Sequence, residues 1–208
     1  MTPESAINLA WLGWYASWCV AAWWVNRTRK TAGLRELPYA ILEIAGLLSI
    51  LAYEALIHPL HNIAGFRIYT IVVPEFWSTR LWQLPETVGW GFFWFAIAGF
   101  LFCWWARLYL GRLWSGFITR KDGHRIVETG PYAIVRHPIY TGVLSAALAA
   151  AAIRATPLAV ASFVLLFVAY QIKGRLEERF LSEELGADAY SAYRRRVPML
   201  VPFGPRHA

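Results

Sequence analysis

Apolar residues run in five blocks along the chain: Asn8 to Val25, Pro38 to Ile57, Thr87 to Leu110, Pro138 to Ile153 and Pro157 to Ile172. A helix that spans a bilayer needs roughly 17–25 such residues. The first three blocks supply them; the last two are shorter, and only Arg154, Ala155 and Thr156 lie between them. Thr156-Pro157 is a helix start, a Thr N-cap with Pro at the first helical position. The fourth and fifth blocks therefore predict a tight antiparallel helical hairpin, with a re-entrant hairpin that does not cross fully as the alternative. The alanine-rich run from Ala146 to Ala152 lets a neighbouring helix approach closely. Beyond Ile172 the apolar positions thin to Leu176, Phe180, Leu181 and Leu185 at helical spacing, which extends the fifth helix into water as far as a C-cap at Gly186. The fold expected is an all-α integral membrane protein of about five transmembrane helices. It forms one domain over 1–208, with three helices in 1–109 and the hairpin plus a small polar region in 110–208.

The connections refine this picture. Asp122-Gly123 between two short β-prone runs predicts a hairpin. The long stretch from His58 to Pro85 holds Phe66, Tyr69, Phe76, Trp77 and Trp82, and reads as a segment lying in the lipid interface. Composition agrees: 58% of the chain is hydrophobic and 16% charged, where soluble domains carry about 25% charge. Cys19 and Cys103 fall inside apolar blocks and read as small buried hydrophobes, not as a disulfide or metal pair. The first block has no basic flank before it and no small-residue cleavage site after it, so it reads as a retained helix.

The net charge of +7 is explained by where the cations sit. Arg27, Arg29, Lys30 and Arg35 follow the first block. Arg107, Arg112, Arg120, Lys121, Arg125 and Arg136 lie between the third and fourth, and Lys173, Arg175, Arg179, Arg194, Arg195, Arg196 and Arg206 follow the fifth. The opposite side holds Arg67, Arg80 and Arg154. The positive-inside rule then places the N-terminus outside and the C-terminus in the cytoplasm of an inner or plasma membrane. The partner this implies is the lipid bilayer and not a nucleic acid.

Candidate chemistry gathers on the cytoplasmic side. His124, Tyr132, Arg136, His137 and Tyr140 flank the start of the fourth block, and Glu177 and Glu178 lie about one turn beyond the fifth. A hairpin brings the two ends together into a pocket of cations, aromatics and carboxylates at the membrane surface. Carboxylates and rings suit a cationic centre; arginine and histidine suit a carboxylate. A zwitterionic sulfonium cofactor uses both, although nucleotides also favour arginine and aromatics. Glu43 and Glu54, eleven residues apart, fall nearly on one helix face. Such carboxyls are suspects for substrate contact, but both lie near the block's ends, which favours structural pairing. His58 and His61 lack further ligands, so no metal site is expected. Trp11, Trp14 and Trp18 form a helical stripe that reads as packing or lipid contact, Tyr190 and Tyr193 read as packing against the tail, and Gly130-Pro131 as a turn.

Three segments, "LGRLWSGF", "DGHRIVETGPYAIVRHPIYTGVL" and "RLEERFLSEELGADAYSAYRRRVPMLVPF", together resemble the isoprenylcysteine carboxyl methyltransferase family of integral membrane enzymes. Relatives that methylate phospholipid amines have a similar C-terminal half. The resemblance covers Leu110 to Phe203 and implies S-adenosylmethionine as methyl donor, bound on the cytoplasmic side. By the same resemblance His124, Arg125, Ile126, Val127, Tyr132, His137, Pro138, Ile139, Tyr140 and the Glu177-Glu178 pair contact the cofactor. It also implies that a basic residue shortly before that pair holds an acidic acceptor group; Lys173 and Arg175 both stand near that place. Leu185 stands where the family often has Phe.

Methyl transfer is an in-line displacement at the sulfonium carbon, so alignment of donor and acceptor is the main task and no metal is required. A carboxylate acceptor needs a cation to orient it, for which Arg136, Lys173 and Arg175 are available. An amine or thiol must lose a proton, which Glu178 or His137 could take. The function expected is methyl transfer in the membrane to a hydrophobic or lipid-like acceptor arriving between helices. Trp90, Phe93, Trp94, Trp104 and Trp105 either line that route or face lipid. The competing readings are a phospholipid-amine or small-thiol methyltransferase, an NADPH-dependent membrane reductase of the sterol type, and a non-catalytic membrane scaffold. Oligomeric state is not legible in the sequence.

Overall fold

The computed structural model describes residues 1–21, 23, 28–31, 33–51, 74–121 and 126–204. Glu54, His58, His61, Phe66, Tyr69 and the Asp122-Gly123 turn lie outside them. A helix occupies each of the five apolar blocks: α1 (Pro3–Ala21), α2 (Leu37–Leu51), α4 (Glu86–Leu110), α5 (Pro138–Arg154) and α6 (Pro157–Leu185). A single turn, α3 (Glu75–Ser78), and an amphipathic helix, α7 (Ala187–Arg196), complete the α-helices among the described residues. Among the described residues two segments are long and apolar enough to cross a membrane, Glu86–Leu113 and Pro157–Glu184; α5 is apolar but shorter, at 17 residues.

Helix limits follow local chemistry. α1 starts ahead of its apolar block because Thr2 caps it: the Ser5 amide donates to Thr2 Oγ1 at 3.2 Å, and Pro3 takes the first helical position. α6 starts the same way, with the Ala159 amide donating to Thr156 Oγ1. It runs past the apolar block, as its spacing predicts, and ends at Gly186 with φ 110°.

The expected hairpin at Asp122-Gly123 is corrected in part. Thr119–Lys121 does form a strand, β2, but it pairs antiparallel with β1 (Thr28–Thr31), and Ile126 and Val127 are not in a strand. The reason lies next to β2, where Glu36 Oε2 accepts from the Ile118 amide at 3.2 Å and pins this segment to the start of α2. The helical fold thus carries one short ribbon joining its two halves.

Close helix crossings use small residues. At the α4–α5 crossing a Cβ on Gly99 would stand 2.7 Å from the Gly142 carbonyl oxygen, and the Ala146 backbone lies beside it. At the α2–α6 crossing Gly46 lies under Leu166, and Ser49 and Ser162 share a 2.7 Å hydrogen bond. The α1 stripe is packing, as expected: Trp14 stacks on Phe100, and Trp18 meets Trp104 and Trp114 edge-on. Buried Arg154 donates to Asn8 Oδ1 at 2.6 Å and to the Ile50 carbonyl, tying the hairpin turn to α1 and α2. Trp82 donates to the Ala152 carbonyl, so the end of the long connection lies on that turn. Both cysteines are free; Cys103 is buried, whereas Cys19 is exposed, contrary to the expectation for it. The bundle's outer surface is apolar: Trp94, Phe95, Leu101 and Trp105 of α4 and Ile41, Ile44 and Leu48 of α2 are all exposed. Phe93 and Trp104 instead pack on the core.

Candidate active site

The segment between α4 and α5 turns sharply at Gly130, whose φ of 59° is one that side-chain-bearing residues rarely adopt. A Cβ there would also meet the Tyr109 ring at 2.7 Å. The turn delivers Tyr132, Arg136 and His137 to the start of α5. The C-terminal tail then closes over them. The Arg136 amide donates to the Pro198 carbonyl at 2.9 Å, the His137 amide to Met199 at 3.1 Å, and Thr141 Oγ1 to Leu200 at 2.6 Å. Tyr193 of α7 donates to the Tyr132 carbonyl at 2.7 Å.

The side chain of Arg136 is part of this closure. It is buried; Nε donates to Glu178 Oε1 at 2.7 Å, and Nη1 donates to the carbonyls of Arg194 and Val197. His137 bridges the glutamate pair, with Nε2 3.2 Å from Glu178 Oε1 and Nδ1 3.5 Å from Glu177 Oε2. Burial by itself would lower its pKa, but hydrogen bonds to and the charges of Glu177 and Glu178 outweigh that and raise it to about 9. The ring is then an imidazolium at neutral pH. It stacks on Tyr140 at 5.1 Å, and Tyr140 stacks on Tyr170 at 4.6 Å. The Tyr140 hydroxyl donates to Glu177 Oε2 at 2.7 Å.

These groups border a solvent-open pocket enclosing about 820 Å³ of non-atom space, its mouth included. The structure gathers at its wall Ile126, Val127, Tyr132, Arg136, His137 and the α5 residues Pro138, Ile139 and Tyr140, with Glu177 opposite. Glu178 lies behind His137, on the wall of a second groove. His124 and Arg125 lie outside the described residues.

Lys173 and Arg175 part company. Lys173 is buried, holds both oxygens of Glu43 at 2.8 and 3.2 Å, and lies 5.5 Å from the Tyr140 ring. This is the structural pairing favoured for Glu43. Arg175 instead lines the second groove with Glu178.

The pocket also contains residues that sequence reasoning passed over. Leu113, Trp114 and Phe117 form one apolar side, and Tyr190 and Tyr193 line the pocket besides packing with Val197. Trp114 is held by the Arg107 guanidinium, 4.6 Å over its ring, and Arg107 in turn donates to the carbonyls of Gly111 and Ala21. The signal for these residues was "LGRLWSGF" itself, an aromatic-bearing segment just past the end of a spanning helix.

Residues 91–184 match the sequence profile described as the isoprenylcysteine carboxyl methyltransferase (ICMT) family. Three curated proteins are similar over part of the chain. Protein-S-isoprenylcysteine O-methyltransferase B of Arabidopsis thaliana is 34% identical over 89 residues, 41% of this chain and 44% of its own. Methanethiol S-methyltransferase 2 of Bradyrhizobium diazoefficiens is 49% identical over 73 residues, 34% of this chain and 26% of its own. Cobalt-zinc-cadmium resistance protein CzcN of Cupriavidus metallidurans is 30% identical over 98 residues, 45% of this chain and 43% of its own. Each alignment spans less than half of the relative's length. The matched segment begins in α4 and runs through the Arg136-His137 turn, the hairpin and the glutamate pair, and over that part, somewhat less than half of its length, the chain is similar to the isoprenylcysteine carboxyl methyltransferase family.

Proposed function

We propose that the chain is a membrane-embedded methyltransferase that takes its methyl group from S-adenosylmethionine and passes it to a hydrophobic acceptor. The observation that carries this reading is the pocket, which combines one carboxylate wall with an aromatic and aliphatic wall at the end of two long apolar helices. Glu177 and the Tyr140 ring suit the donor's cationic groups. Leu113, Trp114 and Ile126 suit a nucleoside base, and backbone around Pro138 the remaining polar atoms. When bound, the cofactor supplies an electrophilic methyl carbon; the chain's task is to orient the two reactants and keep water out. Arg136 and Glu178 act as positioning residues, fixing His137 and the tail. By the charge rule the pocket opens to the cytoplasm, with the N-terminus outside.

The acceptor cation we assign is Lys173, which shares the Tyr140 side of α6 with Glu177. An acidic acceptor, like that named for the Arabidopsis relative, would take Lys173 from Glu43. A second reading is favoured by that ion pair itself: with Lys173 already neutralised, an uncharged thiol, like that named for the Bradyrhizobium relative, meets no unpaired charge. Labelled methyl donor offered with an S-prenylated N-acetylcysteine, a long-chain thiol or a phospholipid amine separates the readings. Transfer to the first, with a lower KM in Glu43→Gln, supports the carboxylate acceptor. Transfer to the thiol, with a lower kcat in Glu43→Gln, supports the second. Transfer to none of them, by protein that binds the donor, rejects both.

A further inference from the structure

Behind Glu178, on the face of α6 turned away from the cofactor pocket, lies a second groove of about 690 Å³ of non-atom space, its open mouth included, lined by Arg175, Glu178, Arg179, Arg194 and Met199. Three guanidiniums meet there. Arg175 and Arg179 stand four residues apart and so share one helix face; Arg194 comes from α7. Their countercharge is one carboxylate, and that group is shared: Glu178 Oε1 already serves Arg136 and His137. Arg194 Nε lies 3.3 Å from Glu178 Oε2, yet this buried nitrogen donates a hydrogen bond to no acceptor. Arg175 and Arg179 are exposed and form no ion pair among the described residues. The groove is therefore short of negative charge and rich in planar donors, which suits a phosphate ester.

Its position says which phosphate. The apolar run of α6 ends at Ile172, so Arg175 stands in the turn that would reach the headgroup layer if α6 crosses the bilayer. From Met199, at the groove's wall, the tail runs on to Val201 and Phe203, which are 62% and 95% exposed and offer apolar contact to acyl chains. We propose that this groove binds the phosphate of an anionic phospholipid, whose charge the three arginines share. The proposal rests on membrane crossing by α6 and is independent of methyl transfer.

The test is native mass spectrometry of the full chain released from nanodiscs of mixed phosphatidylglycerol and phosphatidylcholine. The wild type is expected to retain phosphatidylglycerol preferentially. Arg179→Gln should reduce that retention about fivefold, and Arg175→Gln with Arg179→Gln about thirtyfold, at the strength expected for one or two cations near an anionic surface. Arg112→Gln, an equal loss of charge elsewhere, should leave it unchanged. Equal retention of the two lipids, or equal loss in Arg112→Gln, would overturn the proposal. So would displacement of the lipid by inorganic phosphate, which would mark the groove as a site for the free anion. S-adenosylhomocysteine binding in the same preparations reports separately on the cofactor pocket.

Discussion

At the residue scale His137 ties together the tail, the aromatic stack and the glutamate pair. Its backbone holds the tail through Met199, its ring supports Tyr140, and its two nitrogens face the two glutamates. Because its folded pKa is raised to about 9 from an ordinary value of about 6.5, the stability it contributes is full below about pH 6.5 and is lost as pH rises through about 9. Thermal unfolding in detergent should therefore show a falling midpoint between about pH 7 and 10, and His137→Gln should flatten that fall; an unchanged slope would refute the assignment. The chemistry-bearing types were legible in sequence, because Arg-His-Pro before an apolar block and a glutamate pair after another are unusual placements. Their partners were not. Nothing in the spacing says that Arg136 spends its guanidinium on Glu178 and two tail carbonyls, since those contacts join residues 42 to 61 positions apart.

Elements were legible where local chemistry sets them. Thr156-Pro157 and Gly186 bound α6 as read, and the same Thr-Pro signature at Thr2-Pro3 accounts for the early start of α1. The ribbon was misread because a turn signal specifies a bend and not a partner; β2 pairs with a strand from the other half of the chain. The α4–α5 crossing makes a sharp prediction. A methyl on Gly142 would meet the Gly99 carbonyl and Cys103 Sγ, both on the facing helix, so the helices must part. Gly142→Ala should cost about 1–3 kcal/mol, the usual range for overpacking, measured by denaturant unfolding in detergent. Leu148→Ala, at an exposed site on the same helix, should cost no more than about 1 kcal/mol.

At the scale of the whole molecule the helical membrane class followed from block length and low charge, and the apolar outer surface agrees with it. The pocket was legible only as a place where two helix ends meet. Its apolar side needed the fold, because Trp114 is set by Arg107 and by the α1 stripe through Trp18. The family match covers 91–184, whereas α1 and α2 reach the pocket's lining residues from outside that segment: Trp18 meets Trp114, and Glu43 pairs with Lys173, which lies 5.5 Å from the Tyr140 ring. We propose that the space between the hairpin and the tail holds the methyl donor. The most direct measurement is calorimetric titration of the purified full chain with S-adenosylhomocysteine, with NADPH as control and Glu177→Gln and Tyr140→Phe beside the wild type. The wild type is expected to bind S-adenosylhomocysteine and not NADPH, and both variants to bind it more weakly. Binding of NADPH alone, or S-adenosylhomocysteine affinity unchanged in both variants, would contradict it.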